Sequence, residues 1–295
     1  MKVRFAVAPS GHHAEPDGIT ELVADLEDLG FDTVWLSDLP LRPTIDPIVG
    51  LAHVAATTSR LKLGANIVPL GRNPVALAKS LAQLDRLSGG RLLLNFVVGL
   101  GEPTERTVLG VEGSDRGRLL AELVPLFRTW WAGGTVDHDS DRHHLPTVTS
   151  AGRPLQEPLE IWFGGRSRAA LTRAGQLADG WLGAAVSPSE AADAVRHIMD
   201  AASDAGRTVD AEHFGISLMY ARNPVDPTTI AEMRRRQPQA DPADLLPVGA
   251  DALRAVVARF VASGISKFVI RPVGPHATDR PHLEDLAEVV RELQT

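Results

Sequence analysis

The chain has 295 residues, of which 44% are hydrophobic and 23% are charged, and its formal net charge is −7. This balance is typical of a globular protein, and the negative charge disfavours a broad surface for nucleic acid. The absence of cysteine excludes disulfides, thiolate nucleophiles and cysteine-ligated metal centres. Because no apolar run reaches the roughly 18 residues of a membrane span and no signal peptide is evident, we expect a cytoplasmic protein without a membrane partner.

Short apolar runs alternate along the first half of the chain with stretches of helical periodicity. The predicted strands are Val3–Ala8, Thr33–Ser37, Leu61–Ile67 and Arg91–Val98. The predicted helices are Asp17–Leu29, Pro47–Thr58, Pro74–Leu87 and Arg116–Trp131. Gly30 is placed to end the first helix, and Asn73 with Pro74 is placed to begin the third.

The second half continues the alternation after an interruption. Its predicted strands are Leu159–Phe163, Gly180–Ala184, His213–Tyr220 and Lys267–Arg271. Its predicted helices are Ser167–Ala178, Ser189–Ala205, Ala250–Ser263 and Leu283–Leu293. Two segments read as irregular insertions, Gly133–Pro158 and Asn223–Pro247, the second with a short helix near Thr228–Arg236.

Eight strands that are each followed by a helix predict an α/β fold with parallel pairing and right-handed crossovers. Eight such units close most naturally into a (β/α)₈ TIM barrel, here with insertions after the helix of strand four and after strand seven. A doubly wound open sheet is the alternative. No linker divides the chain, so we predict one domain over residues 1–295.

Catalytic and binding residues of such barrels lie at the carboxyl ends of the strands. After the fifth strand, two glycines open a helix in the sequence Gly164, Gly165, Arg166 and Ser167. This turn allows the backbone to approach a ligand closely and favours an anion such as phosphate. A plain tight turn without a ligand is the alternative, because it would have the same residues. After the fourth strand, the Gly-Leu-Gly-Glu turn ends at Glu102, which is either a general acid or base or a solvated residue at a helix start.

Histidines follow the first and last strands, at His12, His13 and His276. Strands one and eight are neighbours in a closed barrel, so these side chains are expected to share one rim. Histidine suits proton transfer near neutral pH, and simple solvation is the alternative.

A second group of histidines lies among aspartates in the first insertion, at His138, His143 and His144. The spacing fits no known metal motif. We therefore predict a solvated loop and no metal site.

Three stretches resemble the luciferase-like monooxygenase superfamily. They are GFDTVWLSD at residues 30–38, the block from Arg60 to Glu102, and IWFGGRSRAALTRAGQLADGWLGA at residues 161–184. In the middle block a strand, an Asn-Pro helix start, LDRLSGGR, a strand and Gly-x-Gly-Glu follow in the order of the family. The chain looks most like the actinobacterial branch that uses the deazaflavin coenzyme F-420. The resemblance implies the same barrel, often a homodimer, with a flavin-type ring in its mouth.

By position, the resemblance also implies a set of cofactor-binding residues. The phosphate turn is matched by Gly164, Gly165, Arg166 and Ser167, and the residues beside the ribityl phosphate by Leu100 and Gly101. Asn66 and Ile67 match a third-strand bulge in which a non-proline cis peptide backs the ring, and Asp38 belongs to the same set. Glu102 matches a glutamate that serves as acid in the sugar-phosphate dehydrogenase members.

One position departs from the family pattern. Many deazaflavin-dependent members read Ser-Asp-His after the second strand, where this chain has Ser37, Asp38 and Leu39. The usual proton-transfer histidine is absent, which leaves His12 or His13 as substitutes and FMN as the alternative cofactor. We expect the substrate pocket to be lined by the first-strand loop and the two insertions.

Four functions are consistent with these residues. The favoured one is an F-420-dependent oxidoreductase that transfers hydride to or from a small organic substrate. The others are an FMN-dependent monooxygenase, a non-catalytic flavin-binding barrel and an unrelated barrel hydrolase.

Overall fold

Eight parallel strands close into a barrel in the computed structural model, which describes residues 1–149 and 152–295. In chain order the strands are β1 (Arg4–Val7), β2 (Thr33–Ser37), β3 (Lys62–Ile67), β4 (Leu92–Phe96), β5 (Thr135–Asp139), β6 (His144–Thr149), β7 (Ile161–Gly164), β8 (Gly180–Ala184), β9 (Phe214–Tyr220) and β10 (Lys267–Pro272). All but β5 and β6 belong to the barrel, and β10 pairs with β1 to close it. The predicted (β/α)₈ barrel is confirmed.

Helices surround the barrel and follow its strands. They are α1 (Ile19–Leu29), α2 (Pro47–Thr57), α3 (Pro74–Leu87), α4 (Pro103–Val108), α5 (Arg116–Trp131), α6 (Arg168–Leu177), α7 (Pro188–Asp204), α8 (Pro227–Arg236), α9 (Pro242–Leu245), α10 (Ala250–Ala262) and α11 (Arg280–Leu293). Local chemistry sets their ends: Asn73 Oδ1 accepts a hydrogen bond from Ala76 N at the start of α3, and Gly30 ends α1 with φ of 81°. A 3₁₀ turn, Gly11–Ala14, follows β1.

Apolar side chains form two cores, one between the strands and the helices and one inside the barrel. Trp130 and Trp131 of α5 lie in the outer core, with 0% and 6% exposure. The inner core consists of Ala6, Ala8, Trp35, Leu182 and Val269, with Leu93 and Trp162 packed against it. Because side chains alternate along a strand, the residues two positions further on face the barrel interior at its carboxyl-terminal mouth.

The first insertion is a β-hairpin, so the prediction of an irregular segment was wrong. β5 and β6 pair antiparallel, and the hydroxyl oxygens of Thr135 and Thr149 lie 2.7 Å apart across the pair. The hairpin packs on α5, where Trp130 Nε1 donates to the carbonyl of Val148 at 3.1 Å. The hairpin therefore lies outside the barrel. Residues 150 and 151 of the predicted insertion are outside the described residues.

The second insertion contains the short helix predicted near Thr228–Arg236, which is α8. Asp226 Oδ1 accepts a hydrogen bond from Thr228 N at 2.8 Å and caps this helix. Within the described residues, no helix combines the length and apolar character needed to cross a membrane.

Candidate functional site

The mouth of the barrel has a floor of small and polar side chains. The interior-facing positions at the carboxyl ends of the strands are Ala8, Ser37, Asn66, Asn95, Gly164, Ala184, Ser217 and Arg271. Arg271 carries the one charge among these eight positions. Such a floor leaves room above it and offers hydrogen bonds, which is what a flat polar ligand requires.

A row of hydrogen bonds crosses this floor from β2 to β4. Asn66 Nδ2 donates to Ser37 Oγ at 3.0 Å, and Asn95 Nδ2 donates to Asn66 Oδ1 at 2.8 Å. Asn95 is 1% exposed, and its Oδ1 has no hydrogen-bond partner among the described residues. A buried acceptor without a partner is uncommon and marks a place where a ligand can donate.

Asp38 fixes the loops on this side of the mouth. Its Oδ2 accepts hydrogen bonds from Val68 N at 3.1 Å and from Arg72 Nη2 at 2.9 Å, and Arg72 also contacts Asp46 Oδ2 at 3.1 Å. Burial raises the pKa of the Asp38 carboxyl, and the Arg72 guanidinium and the Val68 N–H only partly offset that rise. The carboxylate thus ties the end of β2 to the loop that follows β3.

The bulge expected at Asn66 and Ile67 is not present. Asn66 pairs in register with Ser37 and Asn95, and Ile67 pairs with Phe96. The peptide bond between Asn66 and Ile67 is trans, since among the described residues the one cis bond precedes Pro158. The prediction of a cis peptide was wrong, because the parallel ladder continues without an extra residue to the end of β3.

The turn after β4 is held from below by two buried or half-buried side chains. Glu105 Oε2 accepts a hydrogen bond from Gly101 N at 2.7 Å, and Arg116 Nη1 donates to the carbonyl of Val98 at 2.8 Å. Gly101 has φ of 85°, and a Cβ there would lie 2.6 Å from Arg116 Nη2. The turn therefore requires glycine, and it presents Leu100 with 61% exposure.

Glu102 is the N-cap residue of α4 and has a half-exposed carboxylate. Its Oε1 lies 3.3 Å from Arg42 Nη2, which belongs to the loop after β2. Because β2 and β4 flank β3, this ion pair spans the mouth above the end of β3. An exposed pair of this kind contributes about 1 kcal/mol at most, so the carboxylate is free to exchange partners.

The turn after β7 has the geometry of an anion site. Gly165 has φ of 109°, and Ser167 Oγ accepts a hydrogen bond from Ala170 N at 3.3 Å as the N-cap of α6. Trp181 Nε1 donates to the carbonyl of Gly165 at 2.8 Å and fixes the turn, and Arg166 extends to the carbonyl of Ala185. The first N–H groups of this ten-residue helix have no partners within it and carry its positive dipole end.

The predicted histidine rim between the first and last barrel strands, β1 and β10, is confirmed. His13 is 8% exposed, and its Nδ1 lies 3.1 Å from Thr278 Oγ1 and 3.9 Å from an Asp279 oxygen. His276 Nδ1 lies 2.7 Å from the other oxygen of Asp279, and the exposed ring of His12 lies 5.8 Å from that of His13. These contacts hold the 3₁₀ turn to the loop after β10.

A recess of about 50 Å³ opens between β10, β1 and β2. Its lining includes Arg271 and Thr44, neither of which the family resemblance implied, and Leu39 at the place of the family's histidine. Thr44 Oγ1 and Trp35 Nε1 are buried and have no partner in the described part of the chain. The one sequence signal for Arg271 is a charge at an interior-facing position of an otherwise apolar strand. The complete lining is Ala8, Pro9, Ala14, Trp35, Leu36, Ser37, Leu39, Thr44, Ile45 and Arg271.

The histidines of the hairpin converge on Glu122 of α5. Its Oε1 lies 2.9 Å from His138 Nε2, 2.9 Å from His143 Nδ1 and 2.7 Å from Ser140 Oγ. Burial would raise the pKa of Glu122, but these hydrogen bonds outweigh burial and lower the pKa to about 2. His144 pairs separately with Asp139. Across residues 1–149 and 152–295, no group of three or more acidic or histidine side chains is arranged to hold a metal ion.

Comparison with known families matches the luciferase-like monooxygenase family over residues 1–246. The chain belongs to this family. Among the relatives of this luciferase-like chain, an F-420-dependent glucose-6-phosphate dehydrogenase of Kineococcus radiotolerans is 30% identical over 191 residues, which are 61% of this chain and 56% of the relative. A 5,10-methylenetetrahydromethanopterin reductase of Methanopyrus kandleri is 28% identical over 210 residues, which are 66% of this chain and 60% of the relative. Both matches thus span less than two thirds of the relative.

Solved structures of the same architecture cover the whole chain. An F-420-dependent secondary alcohol dehydrogenase superposes with a TM-score of 0.83 at 18% identity, covering 100% of both chains. The coenzyme F-420-dependent tetrahydromethanopterin reductase of Methanopyrus kandleri superposes with a TM-score of 0.79 at 20% identity, also covering 100% of both chains. At these identities the likeness shows the fold of the luciferase-like barrel.

Proposed function

We propose that this luciferase-like barrel is an F-420-dependent oxidoreductase that transfers hydride between the deazaflavin and a small organic substrate. The observation that carries the proposal is that one barrel mouth contains both features of a cofactor site. Its floor has asparagine side chains that can hydrogen-bond a ring, and the turn at Gly164–Ser167 can bind an anion. The relative named as an F-420-dependent glucose-6-phosphate dehydrogenase supports it.

The residues of the mouth fit such a cofactor. Asn95 Oδ1 is a buried acceptor without a partner among the described residues, and a Cβ at Gly164 would lie 2.8 Å from Val97 Cγ1, so the floor admits no bulk there. In the proposal, Gly164, Gly165, Arg166 and Ser167 hold the phosphate, Leu100 and Gly101 flank the ribityl phosphate, and Asp38 and Asn66 support the ring. The side chain of Ile67 is buried in the outer core and does not face the ring.

When bound, the deazaflavin supplies the hydride donor or acceptor. The chain must then supply a group that takes up or releases the substrate's proton. We assign this role to Glu102, because its carboxylate is half exposed at the mouth and is held only by Arg42. His13 is already bonded to Thr278, His12 is exposed away from the recess lining, and Leu39 offers no proton.

An FMN-dependent monooxygenase is the second candidate function. The turn at Gly164–Ser167 would hold a phosphate, which both cofactors carry, and Leu39 replaces the histidine typical of many deazaflavin enzymes. The two candidates differ in their need for oxygen.

An activity assay separates the two candidates. Purified protein is incubated without oxygen with oxidised coenzyme F-420 and a panel of alcohols, hydroxy acids and sugar phosphates, and the absorbance of the oxidised cofactor is followed. In parallel, oxygen uptake is measured with reduced FMN. We expect substrate-dependent bleaching of F-420. Oxygen uptake with FMN and no reaction with F-420 would select the monooxygenase, and inactivity with both would favour a non-catalytic barrel or a hydrolase.

We also propose that the chain forms a homodimer through α2. This helix is apolar on two faces: Leu51 and Val54 are buried, whereas Val49 is 66% exposed beside the exposed residues Ala52 and Ala56. Exposed apolar stripes on helices are typical of subunit contacts. Sedimentation of the wild type and of Val49→Glu tests this, since the variant should be monomeric if α2 is the interface. The cytoplasmic location stays a prediction.

A further inference from the structure

We propose that the recess beside Arg271 binds a carboxylate, so that the substrate is a small organic acid. The inference that its occupant is the substrate rests on the proposed function.

Arg271 forms no ion pair with any of the described residues around the barrel mouth. It lies at the end of β10 on the interior face, two positions beyond Val269 of the inner core. Its side chain reaches solvent through the mouth, yet the surrounding protein still lowers the pKa of its guanidinium by desolvation. Arg72 and Arg42 at the mouth pair with Asp38 and Glu102, and Arg166 contacts the carbonyl of Ala185 in the phosphate turn. An arginine left free here is available to an anion.

The remaining polar groups of the recess also favour an acceptor. Thr44 Oγ1 and Trp35 Nε1 are buried without partners in the described part of the chain, and both can donate hydrogen bonds. No acidic residue lines the recess. The nearby Asp38 is already bonded to Arg72 and Val68. A ligand group that only accepts hydrogen bonds and carries negative charge matches this set.

The size of the recess selects among anions. Its volume is about 50 Å³, whereas one water needs about 10–15 Å³. The space therefore admits about three to five heavy atoms, which fits a planar carboxylate better than a tetrahedral phosphate with its ester. Leu39, Ile45 and Ala8 also line it, so a short aliphatic stem would be in apolar contact.

The recess lies across the mouth from the phosphate turn. Around the barrel, β10, which carries Arg271, is followed by β9, β8 and then β7, so the turn after β7 is three strands from Arg271. Arg271 is thus separated from Gly164–Ser167, and a carboxylate in the recess does not compete with a phosphate at that turn.

Calorimetric titration of the protein without added cofactor tests the inference. Propionate is compared with propionamide, which has the same shape without the charge, and with inorganic phosphate. We expect wild type to bind propionate and to bind the other two at least about tenfold more weakly. Arg271→Gln should weaken propionate binding about tenfold or more, as expected for loss of a charged hydrogen bond. Arg222→Gln is the matched control, because Arg222 is a mouth arginine paired with Asp285, and it should change binding less than about twofold.

Several outcomes would overturn the inference: equal binding of propionate and propionamide, no binding by wild type, or an unchanged dissociation constant in Arg271→Gln. Weakened F-420 binding with unchanged propionate binding would assign Arg271 to the cofactor instead. Should Arg271→Gln fail to fold, Arg271→Lys and Thr44→Val test the same contacts. Because the titration contains no cofactor, Arg271-dependent propionate binding in a protein that ignores F-420 would reject only the proposed function.

Discussion

The hairpin β5–β6 and the carboxyl-terminal mouth both gather polar side chains, yet only the mouth leaves them open. On the hairpin, His138, Ser140 and His143 all bond to Glu122. At the mouth, Asn95 Oδ1 and Thr44 Oγ1 lack partners among the described residues, and no acidic residue shares the recess of Arg271. The contrast teaches that a closed polar cluster secures the chain, whereas an open cluster at a strand end is where a ligand is expected.

The largest effect is expected for Glu102→Gln, which removes the proposed proton-transfer group and keeps its shape. The turnover number should fall by about 10²–10⁴-fold with little change in cofactor binding, as is usual for loss of a general acid or base. Steady-state kinetics with saturating cofactor measure it. Arg42→Gln removes only an exposed ion pair and should change the rate less than about fivefold. Equal losses in the two variants would mean that the pair acts structurally.

The second largest effect is expected for Asp38, whose carboxylate is already bonded within the mouth. Asp38→Ala leaves Arg72 and the Val68 N–H without their buried acceptor, so the free energy of unfolding should fall by about 2–4 kcal/mol. Urea denaturation measures it. Asp46→Ala removes a half-exposed partner of Arg72 and the cap of α2, and should cost about 1–2 kcal/mol. The reverse order would show that Asp38 is not the residue that ties these loops together.

The lowered pKa of Glu122, which binds the hairpin, predicts that the protein loses stability in acid. The pKa of Glu122 is about 2 in the folded chain against an ordinary 4.5. A lowered folded pKa gives stability that is complete above about pH 4.5 and is lost as the pH falls towards 2. With solvent screening, the loss should be about 1–3 kcal/mol.

Urea denaturation across this pH window should show a flatter profile for Glu122→Gln than for wild type. Asp139→Asn changes an exposed carboxylate on the same hairpin and should keep the wild-type profile. An unchanged slope in Glu122→Gln would mean that the cluster does not secure the hairpin.

The smallest effect is expected at the histidine rim. His13→Ala removes one buried hydrogen bond to Thr278 and should lower the free energy of unfolding by about 1 kcal/mol, with little change in turnover. Thermal unfolding and kinetics on the same preparation check both quantities. A rate loss near 100-fold at unchanged stability would instead make His13 the proton-transfer residue.

Sequence patterns predicted the barrel well because each strand and helix carries its own signal. Thr33–Ser37, Pro74–Leu87 and Gly180–Ala184 have the predicted bounds, where apolar runs meet glycine, proline or a cap. The hairpin was missed because its short strands carry histidine and aspartate in place of an apolar run. The six-residue α4 is too short to show a helical period.

The candidate site was predictable only in part. Strand counting located the ends that carry Glu102 and Gly164–Ser167. The partners were not predictable, because Arg72 meets Asp38 from 34 positions away and Glu122 meets His143 from 21. The expected cis peptide after Asn66 came from the family resemblance and was wrong, since this chain keeps a regular ladder there. Whether Arg271 has an ion-pair partner depends on the side chains that the neighbouring strands place near it, and the local sequence does not reveal them.

Calorimetric titration of coenzyme F-420 into wild type and Gly164→Val tests whether the mouth holds the cofactor on the floor beside Gly164. A side chain there would meet Val97 Cγ1 at 2.8 Å and Asn95 Nδ2 at 3.4 Å, whereas in the control Gly152→Ala the added Cβ meets nothing closer than 3.6 Å. The account predicts that wild type and the control bind F-420 alike and more tightly than FMN, and that Gly164→Val binds it at least about tenfold more weakly. Equal binding by all three proteins, or no binding of F-420 by wild type, would contradict it.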